Sequence, residues 1–448
     1  MFENSGSYSD ILVFTEKLTP RIRYVFNYLS DAFVGVKFIV TTDARAFAAS
    51  SHPRLNYSVV KFDSNIPLTV YPNDLMTGDN VDVEPKFDLD FLDKLLAGKS
   101  KLASVHSSEQ DIPAFIFFCL SRFEEYLSHE KDENGAYASE NSVLSRMNWL
   151  KLPVVEILHL KLLSFFYPET QIRTAFSGRY QFIPSIDVDN AYAYAGRPWY
   201  GLAGGMAKDL TRFNLKNFIK RIQVVLGFKR DPFDVYDFLL HSRKALKGNL
   251  LVFFLAGERS RYDRNLDPQS PLMRKVIGMC DEHLAVGLHP SYYSGADKAI
   301  LESEKNKLES VLNKPIEISR QHYLRFNLPH SYENLIESGI KADYSMGYTH
   351  QPGFRAGTCR PFRWFNLRTN EETTLMVYPC SIMEATLIEF LFLNAEEGFQ
   401  YFREMIAVHK EFGGVFIPVF HVHYLQETGK WKEWRTVFSR MIELAGEN

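Results

Sequence analysis

Residues 180–190 read YQFIPSIDVDN, a β-rich run (Tyr180–Ile186) that ends in Asp187-Val188-Asp189-Asn190. An apolar strand stopping on carboxylates suggests an α/β fold, where functional side chains sit just beyond the C-terminal ends of parallel strands. Downstream comes a long detour, Gly196–Lys247, whose middle (Asp209–Leu226) has helical periodicity and basic residues. It leads to Leu250–Leu255 (LLVFFL), a near-continuous apolar run expected of a strand buried on both faces. Pro271–His283 predicts a helix, Leu284–Leu288 a strand running into His289, and Ile300–Leu312 a helix. Ile316–Ser319 follows as a strand, His330–Glu337 as a helix, Val415–Phe420 as a last buried strand before His421, and Trp431–Leu444 as a closing helix. This repeated βα rhythm predicts a parallel sheet or a β/α barrel.

Upstream, Asp10–Thr15, the helical spacing of Arg21–Ala32 and the β run Val36–Thr41 form a βαβ pattern. His52–Pro85 is rich in Pro, Asn and Asp and reads as irregular connections, after which Asp88–Leu96, Ile112–Leu127 and Leu152–Phe166 are helical. Pro168–Gly178 reads as a boundary. The expected organisation is an α/β chain with a smaller N-terminal α/β domain, 1–175, and a second domain, 176–448.

The chain has 448 residues, with 51 Lys+Arg against 54 Asp+Glu and a net charge of −3. That balance argues against a nucleic-acid binder, which carries a basic surplus or stripe. The four cysteines (Cys119, Cys280, Cys359, Cys380) are far apart and form no C-x-x-C pair, as expected of reduced thiols in a cytoplasmic protein. Met1–Asp10 is polar and unlike a signal peptide. No apolar run approaches the ~20 residues of a membrane span.

Ionisable groups collect at the candidate strand ends: Asp187 and Asp189, His289, His421, and the run Arg320-Gln321-His322-Tyr323. Two carboxylates, two or three imidazoles and an arginine on one rim suit metal-assisted hydrolysis. A metal would take one carboxylate and the imidazoles, leaving the other carboxylate to deprotonate water. Each signal alone has a plainer reading: Asp-x-Asp as loop or cap chemistry, His289 before Pro290 as a turn residue, His322 as a core histidine. Gly98-Lys99-Ser100 imitates the end of a phosphate-binding loop, but Asp93 stands where its first glycine belongs. Gly201–Gly205 (GLAGG) reads as a flexible lid or loop. The basic stretch Lys216–Arg221 reads as a solvated face, or as a contact for an anionic substrate.

In this order the motifs resemble the polysaccharide deacetylase family (NodB-homology, carbohydrate esterase family four), over roughly Phe176 to the C-terminus. Ser185–Asn190 resembles the family's T-F-D-D-G motif, Leu250–Gly257 its A-T-F-F strand, and Val286–Tyr292 (VGLHPSY) its I-G-x-H-[ST] segment. Arg320–Tyr323 resembles R-x-P-Y, and Phe420-His421 the last motif. The resemblance implies a distorted (β/α) barrel of the NodB-homology type. It also implies Asp187 as general base, Asp189 and His289 as metal ligands, Arg320 orienting the base, and His421 as general acid. The cofactor would be a divalent metal, zinc first, and the substrate an N-acetylated sugar or glycan. The N-terminal part, with its Ser121–Tyr126 run (SRFEEY), resembles an uncharacterised domain that precedes deacetylase modules in some bacterial, notably Bacteroidetes-type, proteins.

The departures are specific. Tyr293 stands where the family's second metal histidine falls, and is left as a substrate contact. His322 replaces the proline of R-x-P-Y and is the candidate substitute ligand. Val188 separates the two carboxylates, which leaves open which of them does which task. The family's Asp and Trp set behind the acid histidine is not evident; Asp343–Ser345 and Gly353–Thr358 occupy that region, with Arg355 a candidate for substrate binding or for orienting a catalytic group. Tyr323, through its backbone N–H, would face the oxyanion. The chain's 14% aromatic content suggests a carbohydrate groove lined by Trp199 or Trp364. Two other classes stay open: an Asp-x-Asp metal-dependent glycosyltransferase, and a non-catalytic carbohydrate-binding relative.

Overall fold

A computed structural model describes residues 8–447 except 34, 63–65, 67, 100–101 and 428–430; Met1–Ser7 and Ser100 lie outside that set. The N-terminal unit carries a parallel sheet of β1 (Ile11–Phe14), β2 (Phe38–Thr41), β3 (Arg54–Asn56) and β4 (Leu68–Thr69), ordered β2-β1-β3-β4. Thr19 caps the helix Pro20–Ala32 by accepting from the Ile22 N–H, and Pro20 pre-sets the first turn. Its buried residues, among them Ile22, Val25, Phe26 and Leu29, join the apolar core. The stretch expected as irregular, His52–Pro85, supplies β3, β4 and the short helix Asp74–Thr77.

Ile112–Leu127 does not run as one helix. It stops at Ser121, because Arg122 turns left-handed at φ 55° and points its guanidinium inward. There Arg122 Nε donates to Glu125 Oε1 at 2.8 Å, and Glu125 in turn takes both arms of Arg355 at 2.9 and 2.7 Å. The SRFEEY run is therefore an ionic knot tying the N-terminal unit to the segment around Arg355. Tyr24 OH donates to the Arg363 carbonyl at 2.7 Å and Arg21 Nε to Asn370 Oδ1 at 2.8 Å, adding further ties. One continuous apolar core crosses the 175/176 boundary.

The second unit adds β5 (Gln181–Phe182), β6 (Ser185–Val188), β7 (Leu251–Leu255), β8 (Ala285–His289) and β9 (Ile318–Ser319). It continues with β10 (Ala342–Met346), β11 (Phe362–Asn366), β12 (Glu371–Pro379), β13 (Val415–Phe416) and β14 (Val419–His421). Eight strands form one sheet ordered β11-β12-β10-β9-β8-β7-β6-β14, parallel except for β11 against β12. The residues following β12 carry it round: Val419 N–H donates to the Ile382 carbonyl at 3.0 Å, and Met383 bridges Val419 in parallel. The sheet thus curls into a distorted barrel. The expected strands at Tyr180–Ile186 and Val415–Phe420 are each split, at Pro184 and Pro418, where a ladder donor is missing.

Alternation explains why LLVFFL is apolar throughout. Leu251 and Phe253 form a cluster with Ala342, Tyr344, Val415 and Ile417 in the barrel lumen, while Val252 and Phe254 join the core beneath the outer helices. Gly287 is the partner of Phe253 on the neighbouring strand β8 and makes room for it, since a Cβ there would meet the ring at 2.6 Å. The GLAGG stretch is not a loop. It lies within the helix Trp199–Thr211, which packs against the helix Leu215–Val225. A Cβ on Gly205 would meet the Arg221 guanidinium at 2.5 Å, so the glycine makes room for that side chain.

Candidate active site

Register alone brings the strand-end residues together. His421 pairs with Asp187 across β14 and β6, and Leu255 pairs with His289 across β7 and β8. Val188 pairs with Phe254, so Asp189 lies one step further along, on the level of Leu255 and His289. Leu288 pairs with Ser319, which sets Arg320 beside His289. Asp187, Asp189, His289, His322, Tyr323 and His421 all line one cavity of about 350 Å³. Its walls also hold Met383, Tyr424 and two residues of the N-terminal unit, Glu133 and Asn134.

Three of these groups converge. Asp189 Oδ1 lies 3.3 Å from His289 Nε2 and 3.8 Å from His322 Nε2, and one ligand atom from each residue falls within 4.8 Å of the others. Both imidazoles have their other nitrogen engaged. His289 Nδ1 donates to the Arg320 carbonyl at 2.5 Å, and His322 Nδ1 donates to Asp263 Oδ1 at 2.9 Å. That leaves each Nε2 directed at Asp189, the arrangement of metal-binding histidines held by an acceptor behind them. Asp189 Oδ1 and His289 Nε2 are buried and make no hydrogen bond among the described residues, a costly state for polar atoms that a cation would relieve. The donor set therefore fits a divalent metal.

Asp187 is buried and held by Arg320, whose Nη1 donates to Oδ1 at 2.8 Å while its Nε donates to the Tyr344 carbonyl at 3.1 Å. The two carboxylates thus have separate partners, Arg320 for Asp187 and the histidines for Asp189. His421 Nε2 faces Asp189 Oδ2 at 3.9 Å, and its Nδ1 donates to Glu384 Oε1 at 2.9 Å.

Negative charge is concentrated here. Burial works against a charge on His421, but Glu384 and Asp189 push it up to about 10. Burial likewise works to raise the Asp189 carboxyl, yet His421, His322 and His289 hold it well below the usual carboxylate range. Protons drawn onto buried imidazoles stand where the field also favours a cation.

Four residues expected at the substrate lie elsewhere. Arg355 is 1% exposed and spends its guanidinium on Glu125 and the Gly347 carbonyl, so it acts inside the fold. Trp364 is 0% exposed, packed edge-on against Tyr332 at 5.3 Å, because β11 turns it into the core. Trp199 is 78% exposed at the start of its helix, and it is not part of the cavity wall. Tyr293 is half-exposed beside Tyr262 and Tyr292, outside the wall as well. Tyr323 does line the cavity, stacked on the His322 ring at 4.1 Å.

Two buried carboxylates behind the histidines escape sequence reasoning. Asp263 lies in a loop crowded with charged residues, where nothing singles it out. Glu384 follows β12 and reaches His421 only because the barrel closes there. Its one signal is a lone acid within the otherwise apolar and small Cys380–Leu387. Asp343, on β10, accepts from Tyr332 OH at 3.0 Å and Ser345 Oγ at 2.8 Å.

Residues 11–168 match the model of a family of unknown function, DUF7033. No curated protein matches the chain. Among solved structures, the chain is similar to a candidate polysaccharide deacetylase from Mycobacterium smegmatis: 11% identity over 59% of this chain and 84% of that one, TM-score 0.38. It is also similar to a 4-alpha-glucanotransferase from Thermococcus litoralis: 11% identity over 60% of this chain and 38% of that one, TM-score 0.35. A third is a CE4 family pseudoenzyme from Bacillus anthracis: 9% identity over 59% of this chain and 60% of that one, TM-score 0.28. Likeness at this level says nothing about the reaction, which has to be read from the side chains.

Proposed function

We propose that this protein is a metal-dependent hydrolase that removes an N-acetyl or related acyl group from an amino sugar or glycan precursor. The observation that carries the reading is the convergence of Asp189, His289 and His322, with Asp187–Arg320 and His421–Glu384 beside them. Asp189, His289 and His322 would hold the cation, zinc first because mixed carboxylate and imidazole ligands suit it. When bound, it supplies Lewis-acid polarisation of the acyl carbonyl and a more acidic water.

The chain's own groups do the rest. Asp187, oriented by Arg320, takes the proton of the attacking water. His421 returns a proton to the leaving amine through Nε2, while Glu384 fixes its ring from behind. Tyr323 and Tyr424 give the cavity wall apolar ring faces with polar edges, suited to a sugar. The four free, buried cysteines fit a reducing compartment, and we assign the protein to the cytoplasm. No helix among the described residues is long and apolar enough to cross a membrane.

The test is metal analysis of the purified full chain together with assay of acetate release from N-acetylated amino sugars. Stoichiometric metal and metal-dependent acetate release support the reading. Absence of both from every substrate tried assigns the chain to a non-catalytic carbohydrate binder. Calorimetric binding of a nucleotide sugar without acetate release assigns it to glycosyl transfer.

A further inference from the structure

The connection from β6 to β7 carries something the hydrolytic site does not need. Residues 199–230 project as a hairpin of two helices, Trp199–Thr211 and Leu215–Val225, in which only Asp209 and Val224 are buried. Nine of the fifteen large apolar side chains exposed among the described residues lie in this short stretch, so the exposure is concentrated and not scattered. Phe213 is 92% exposed and Phe228 80%. Phe213 occupies the turn at φ 52°, a conformation where Asn or Gly is ordinary and where its ring covers nothing.

The pattern along the helices is amphipathic. Leu215, Ile219, Ile222 and Leu226 recur at i, i+4, i+7 and i+11, a single stripe. Between and beside them the segment holds seven Lys and Arg against one Asp, in a chain whose net charge is −3. Arg221 is tied to Asp209 at 3.0 Å and Arg230 to Asp234 and Asp237, while Lys208, Arg212, Lys216 and Lys229 are all exposed.

The hairpin is also held firmly at its base. The buried Asp231 carboxylate accepts the backbone N–H groups of Ala193, Tyr194 and Ala195 at 2.8 to 3.0 Å, and that of Phe233 at 3.0 Å. A basic, amphipathic helical pair with an exposed Phe at its turn and exposed aromatics at its base is the form of an element that lies in a lipid interface.

We propose that residues 199–230 dock this protein on an anionic bilayer, with Trp199, Phe213, Leu215 and Phe228 entering the interface and the basic side chains meeting lipid phosphates. The hairpin begins ten residues after Asp189, on the connection that leaves the strand carrying the catalytic carboxylates. The proposal stands apart from the hydrolase reading, since it needs neither metal nor turnover.

The test is co-sedimentation of the full chain with vesicles of phosphatidylglycerol and phosphatidylcholine, against vesicles of phosphatidylcholine alone. The protein should partition to the anionic vesicles, be released by raised salt, and show a blue-shifted Trp199 emission that Trp199→Phe removes. Phe213→Asn/Phe228→Ser and Arg212→Glu/Lys216→Glu should each weaken partitioning by about tenfold or more without altering circular dichroism. Failure of the unaltered protein to partition overturns the proposal, as does partitioning that survives both double variants. Self-association that the apolar variants abolish, with no vesicle binding, would assign the face to a second copy of the chain.

Discussion

His421 donates through Nδ1 to Glu384 Oε1 at 2.9 Å, and the same oxygen accepts the His421 backbone N–H. The imidazole is thus held in one orientation with Nε2 toward Asp189. Glu384→Gln keeps the shape but removes the anion behind the ring. It should lower kcat roughly tenfold to a hundredfold, with KM and metal content little changed, as read by steady-state kinetics and metal analysis. A loss confined to KM would show that the pair does not serve the acid step.

The carboxylates have different partners, and under the proposed mechanism their tasks differ with them. Asp187→Asn should cut kcat by about 10²- to 10⁴-fold while metal stays bound, whereas Asp189→Ala or His289→Ala should lose the metal. If Asp187→Asn strips the metal and Asp189→Asn retains it, the two roles are reversed.

Asp263 sets the tautomer of His322. Its carboxyl is shifted down despite burial, held by His322 and by the Tyr292 N–H. Asp263→Asn should weaken metal affinity by about ten- to a hundredfold in a chelator competition. Unchanged affinity would remove His322 from the ligand set.

The N-terminal unit contributes to the cavity through the turn that carries Glu133 and Asn134. Under the hydrolase reading, Glu133→Ala should raise KM severalfold at constant kcat, as expected of a cavity-wall residue outside the Asp189, His289 and His322 cluster. A fall in kcat alone would contradict that placement.

His159 and His409 are buried, and burial pushes them down to about 3 and about 4. The unfolded chain binds a proton on each near pH 6.5, while the folded chain stays neutral until far lower pH. The unfolded state therefore gains protons as pH falls. Stability is complete above about 6.5 and drops below it by about 1.4 kcal/mol per pH unit for each histidine. His159 packs among Phe33, Phe38 and Phe176 with Nε2 unpartnered, so His159→Phe should flatten the acid limb of melting temperature against pH.

Legibility followed the physics of each element. LLVFFL is readable because both faces of a barrel strand are buried, and His289 and His421 are readable because they terminate apolar runs. β12 is exposed and polar at its start, which obscures it as a strand, and Glu384 sits just beyond it with its partner His421 37 residues away, so nothing local marks either. Arg355 and Trp364 read as substrate contacts because their partners are remote: Glu125 lies 230 residues upstream of Arg355. Nothing local reports that such a charge will be neutralised inside the fold. Of the hairpin at 199–230, Asp209–Leu226 is readable as basic and helical, but the glycines of GLAGG disguise the first helix as a loop, and the exposure of both helices is visible only in three dimensions.

The seam between β6 and β14 is expected to make the site a late product of folding. Ser185 Oγ donates to the Pro418 carbonyl, 233 residues away in the chain, and Asp187 meets His421 through the same seam. Closing so long a loop is entropically costly and slow, and little rewards it until β14 seats. A chain arrested before that step can order β6 through β12 and still lack His421 beside its carboxylates. Appearance of activity during refolding should therefore lag behind the recovery of helical signal, and it reports the last seam rather than the first collapse.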